Sequence, residues 1–150
     1  MLKDHKCRML LTAFGGLAML AGAGTASAAM AAEFRAVLTG DNELATGDAD
    51  GWGRARIEIS DSSDRLCVDL EVRSVGDVTS AQIYRGAAGE DGSPVVKLDT
   101  PDDNDSDDCD NIGDALADDI QANPGEFYVS VQTAEHPAGA IRGQLVPNSD

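Results

Sequence analysis

Basic, imidazole and aromatic side chains are all scarce in this sequence, and each scarcity closes off a class of function. Only 11 of the 150 residues are Lys or Arg against 27 Asp or Glu, a formal net charge of −16. So acidic a surface repels phosphate backbones and anionic headgroups, which excludes nucleic acid and anionic membranes as partners. Two histidines occur, His5 and His136. A nucleophile needs a base in hydrogen-bond reach and a third group to orient it, and His136 alone, in a turn between Ala134 and Gly139, supplies no such set. No G-x-S-x-G elbow is present. Aromatic residues make up 4% of the chain, and its one tryptophan, Trp52, lies between two glycines. That reads as a loop residue folded over one end of the fold rather than as the floor of a sugar-stacking cleft. Carboxylates are so abundant that a pair at glycosidase spacing carries no information. The expectation is a protein that is not an enzyme.

Long apolar runs are missing too. The longest, Met9–Ala23, is 15 residues, short for a membrane span. It follows Lys3, Lys6 and Arg8 and precedes Ala26-Ser27-Ala28, the pattern of a cleavable secretory signal peptide. Cleavage is expected after Ala28, with Ala31 as a close second; a retained anchor is the alternative. On this reading residues 1–28 are the leader, residues 29–150 form one domain with no membrane span, and the protein is secreted or periplasmic. Loss of the leader removes three basic residues and Asp4, leaving 8 basic against 26 acidic, with Lys97 the sole lysine. Nineteen of those acids are Asp, a balance that looks like adaptation to salt. Cys7 departs with the leader, so Cys67 and Cys109 have one pairing open to them, and an oxidising compartment favours their disulfide. The bond would close a loop of roughly 40 residues.

What the chain does have is alternation. Phe34/Ala36/Leu38, Ile57/Ile59, Leu66/Val68/Leu70/Val72, Phe127/Val129/Val131 and Ile141/Leu145 recur at a spacing of two or its multiple with polar residues between, the pattern of strands with one buried and one wet face. Turn chemistry separates them: Gly40-Asp41-Asn42, Gly47–Gly51, Asp61–Asp64, Gly86–Gly92 and Pro137-Ala138-Gly139. These features predict an all-β fold, an antiparallel Greek-key-like β-sandwich with one short helix. The helix is expected over Asp114–Ala122, capped by Asp114 and ended by Asn123-Pro124-Gly125. Asp102–Asp110, "DDNDSDDCD", reads as a solvated loop. Within it Asp103, Asp105 and Asp107, with Asp114, fall at EF-hand-like offsets. Asp108 stands where that loop needs glycine, and no helix precedes it. A looser calcium site at Asp103, Asp105, Asp107 and Asp108 is the candidate metal site, calcium the one candidate cofactor.

Three segments, "FRAVLTGDNE" (Phe34–Glu43), "VTSAQIYRGAAGEDGSPVVKL" (Val78–Leu98) and "FYVSVQTAEHPAGAIRGQL" (Phe127–Leu145), resemble the CHRD domain, the module named after chordin. The most specific part is Gly139–Leu145, which is similar to the family's G-x-I-R-G-x-L ending. The resemblance implies an exported β-sandwich. It also implies that Gln82 and Tyr84 stand where the family usually has a His-x-His pair, and Gln132 where it commonly has another histidine. Amide and phenol are poor ligands for copper or zinc. Gln82, Tyr84 and Gln132 are therefore candidates for a polar ligand face, or for an ordinary outer strand surface. Arg142 and Gly143 are assigned structural roles, with Glu126 or Glu71 as the expected partner of Arg142. The function expected is a secreted, non-catalytic binding or structural module with a strongly acidic surface, its partner an extracellular protein or cell-surface component, its oligomeric state open. The alternatives are a metal-binding protein, using calcium or a degenerate copper/zinc site, and, less favoured, a redox enzyme resembling Cu/Zn superoxide dismutase.

Overall fold

A computed structural model describes residues 31–60 and 64–149. The expected leader, residues 1–28, lies outside the described residues. Nine strands form among the described residues: β1 (Ala32–Thr39), β2 (Trp52–Ser60), β3 (Arg65–Arg73), β4 (Val78–Arg85), β5 (Ser93–Leu98), β6 (Asp105–Asn111), β7 (Phe127–Thr133), β8 (Ile141–Gln144) and the two-residue β9 (Val146–Pro147). One α-helix, α1 (Asp114–Ala122), lies between β6 and β7. Its N-cap is Gly113 at φ +77°, so Asp114 sits in the first turn rather than at the cap.

All strand pairings are antiparallel. The order β5-β4-β7-β8-β1-β2-β3-β6 is a single path, with β9 on β1, so the two walls expected of a sandwich are one sheet joined at β8–β1. The end strands approach each other. Ser106 Oγ donates to the Asp99 carbonyl at 3.1 Å, and Asp99 N–H donates to Asp108 Oδ2 at 3.3 Å, which brings the sheet close to a closed barrel. The connections from β3 to β4, β5 to β6 and β6 to β7 join strands that are not neighbours, as a Greek-key arrangement requires.

The period-two residues named above fill the interior. Phe34, Leu38, Ile57, Leu66, Leu70, Phe127, Val129 and Ile141 are all buried there, joined by Ile83, Leu98 and the helix residues Ala117 and Ile120. Burying a large aliphatic side chain contributes about 1.5–3 kcal/mol, so this shared interior outweighs any single polar contact.

The acidic stretch departs from expectation. Asp105–Asn111 is strand, not loop, and pairs along its whole length with β3. Apolar alternation could not reveal it, because β6 contains none. Its order comes from backbone hydrogen bonds to β3 and from the Cys67–Cys109 disulfide, whose two residues lie directly opposite each other.

Candidate functional site

On β4, Ala81 and Ile83 enter the core, so Ser80, Gln82 and Tyr84 project from the other face. Strand register then decides their neighbours. Ser80 pairs with Gln132, Gln82 with Ser130, and Tyr84 with Tyr128. On the far side of β7, Ser130 faces Arg142 and Tyr128 faces Gln144 of β8.

Gln132 ties this face together. Its Oε1 accepts from Ser80 Oγ at 2.6 Å, while its Nε2 donates to Tyr84 Oη at 3.2 Å and to Ser130 Oγ at 3.1 Å. Ser130 Oγ in turn donates to Glu43 Oε1 at 2.8 Å. Burial pushes the Glu43 carboxyl above its ordinary 4.5, against the opposing pull of the Ser130 hydrogen bond and the Arg142 charge. Burial also raises the Tyr84 phenol, and Tyr128 adds to that rise. Gly139, at φ +136°, leaves the space Glu43 occupies, since a Cβ there would overlap its carboxylate.

Arg142 is 2% exposed. Its Nη2 donates to the carbonyls of Ala87 at 3.1 Å and Glu90 at 2.8 Å, and its guanidinium carbon stands 3.4 Å from the centre of the Tyr128 ring. Tyr84 stacks on Tyr128 with ring centres 5.1 Å apart, so Arg142, Tyr128 and Tyr84 form a column across three strands. The expected partners of Arg142 do not hold it: Glu71 is bound by Arg54 and Arg73 of its own wall, Glu126 forms no ion pair among the described residues, and the Arg142 charge acts on Glu43 without an ion pair between them. Two further bonds strap the Gly86–Gly92 segment over the column. Gly92 N–H donates to Tyr128 Oη at 3.2 Å, and Gln144 Nε2 donates to the Gly86 carbonyl at 2.7 Å.

β7 is consequently buried on both faces, where alternation alone implied one wet face. Gln132 is 8% exposed, and no buried side-chain polar atom among the described residues lacks a partner. Gln82 alone of the three expected face residues takes no part in the network and has no hydrogen-bond partner among the described residues. The chemistry of this arrangement is cross-linking: amide, hydroxyl and carboxyl groups spend their hydrogen-bonding capacity on one another. Sequence reasoning missed Glu43, Tyr128 and Ser130. The alternation Tyr128/Ser130/Gln132, opposite in phase to Phe127/Val129/Val131, is the signal that could have found the latter two; nothing local marks Glu43.

The closing segment now has a physical reading. Ile141 and Leu145 are buried in the core, Gln144 holds the Gly86 carbonyl, and a Cβ on Gly143 would overlap the Val37 backbone of the adjoining β1. His136 lies beside this face with Nδ1 3.0 Å from the Thr46 carbonyl.

The four candidate calcium ligands do not converge. Asp103 lies in the turn before β6 with φ +52°; Asp105 and Asp107 share one face of the strand, Asp108 the other. No group of three or more His, Cys, Asp or Glu side chains suited to a metal ion occurs among the described residues. Nor is any helix among them long and apolar enough to cross a membrane.

The CHRD domain family model matches residues 34–145. No curated protein and no solved structure matches the chain.

Proposed function

Because the chain belongs to the CHRD domain family, we propose that it is an exported, non-catalytic binding module acting outside the cell or in the periplasm on an extracellular protein or cell-surface component. One observation carries the non-catalytic part of this reading. Gln132, which stands where the resemblance places a histidine, uses its amide on Ser80, Tyr84 and Ser130. Its neighbours Gln82 and Tyr84 offer an amide and a phenol, weak ligands for copper or zinc. Export is supported by the leader-like first 28 residues and by the Cys67–Cys109 bond, a pairing that oxidising compartments favour.

The test is metal content and thermal stability of the purified protein, made in medium supplied with copper, zinc and calcium. Far less than one metal per chain, and a Tm unmoved by any of the three, is the expected result. Stoichiometric copper or zinc overturns the non-catalytic reading in favour of a metal centre. A Tm rise in millimolar calcium that magnesium does not reproduce replaces it with a calcium module.

A further inference from the structure

Basic residues are rare after position 28, yet five of the eight, Arg35, Arg54, Arg56, Arg65 and Arg73, project from the outer face of β1–β2–β3. Register makes the crowding acute, because Arg35 and Arg56 lie directly opposite each other on β1 and β2. Like charges in that position repel and destabilise the pair. With 27 carboxylates in the chain, an ion pair for each would be easily supplied. Glu71 does bind Arg54, at 2.7 Å, and Arg73. Arg35 and Arg56 have no ion pair or hydrogen bond among the described residues, although Asp69 stands opposite Arg56 on β3.

The same face carries the chain's one tryptophan. Trp52 is in β2, not in a loop, and is 38% exposed; on β1, Val37 is 55% exposed, and on β9, Val146 is 43% exposed. A groove of about 270 Å³ runs past Trp52, Val37, Arg54, Arg35, Arg56 and Asp69. Trp52 and Arg56 are four residues apart on one strand, roughly 13 Å at the usual rise, a length that two or three linked sugar rings span.

From this geometry we infer that the groove is a binding site for a short glycan bearing carboxylates, as in uronic acids. Trp52 gives an amphipathic ring on which the apolar face of a sugar stacks. Arg35 and Arg56 converge on one carboxylate, whose charge relieves their mutual repulsion; planar guanidinium donors match carboxylate geometry. Charge complementarity is local to the groove: its lining holds Arg35, Arg54 and Arg56 against one carboxylate, Asp69, while Glu33, Glu58 and Glu71 stand on the same outer face around it. The surrounding acids repel a long polyanion over distance, which restricts the ligand to a short or terminal unit. The inference rests on the binding-module reading and deepens it.

The single tryptophan is the reporter. Trigalacturonate titrated into the protein should quench or shift Trp52 fluorescence saturably, with a Kd on the order of 0.1–1 mM. Its methyl ester, which keeps the rings and loses the charge, and triglutamate, which keeps the charge and loses the rings, should each bind at least about tenfold more weakly. Arg35→Gln and Arg56→Gln should each cost a similar factor while leaving Tm unchanged or higher. Absence of saturation with trigalacturonate, equal binding of either control, or unchanged affinity in both arginine variants overturns the assignment. The metal assay above is untouched by any of these results, so the two readings fail separately.

Discussion

Two outer faces of the same sheet have opposite fates. Over β4–β7–β8, polar side chains bond to one another, a buried arginine anchors the Gly86–Gly92 segment, and little is left for a ligand. Over β1–β2–β3, arginines and a tryptophan face solvent, and Arg35, Arg56 and Arg65 form no ion pair among the described residues. The contrast shows that outward polar residues on a strand do not by themselves mark a site. Coverage decides: what the next loop lies over becomes structure, and what nothing lies over stays available.

Predictions follow from that contrast in order of size. The largest concerns the edge next to the open face. With Cys67→Ser and Cys109→Ser together, an acidic strand with no apolar anchor must hold to β3 by its ladder alone; across the separation of 42 residues the loss should approach about 4 kcal/mol. Urea midpoints measure it, and a negligible change would mean that β6 is secured by backbone pairing.

Next is Arg142→Ala on the closed face, which strips two carbonyls and a ring of a buried guanidinium. A loss of about 3 kcal/mol is expected. If it costs no more than a surface substitution, the two faces do not differ as described.

A pH profile gives the third. The folded pKa of Glu43 lies above the unfolded 4.5, so between the two values the folded state holds more protons than the unfolded chain. Glu43 therefore contributes stability that is present below 4.5 and lost as pH rises through its folded pKa. Tm measured across this window should favour the native protein over Glu43→Gln progressively on acidification; parallel curves would place Glu43 in water. Smallest is Arg56→Gln, which relieves the repulsion with Arg35 and should raise stability by about 0.5 kcal/mol, read as a small upward shift in Tm. A fall instead would mean that Arg56 is held by a partner such as Asp69.

Much of the frame was legible from residue order. Phe34/Ala36/Leu38 and Leu66/Val68/Leu70/Val72 announce strands because period-two burial is written into each segment by itself. The helix bounds, Asp114–Ala122, were equally local. β6 was hidden because its partner, not its composition, makes it a strand. Trp52 reads as a loop residue for a similar reason: its flanking glycines suggest a turn, yet Gly51 and Gly53 are both buried and Trp52 pairs with Thr39 and Arg73. For the face of Gln82, Tyr84 and Gln132, alternation gave the direction of the side chains but not the loop that covers them.

Residue order alone gave the strand-rich character and most of the core, which depend on local periodicity, and pointed to Cys67–Cys109 as the pair left if the leader with Cys7 is removed. Only the folded sheet decided that two backbone carbonyls hold Arg142, that an acidic segment becomes an edge strand, and that two arginines stand directly opposite each other. Those outcomes depend on register between strands far apart in the chain, and register follows from how the whole interior packs.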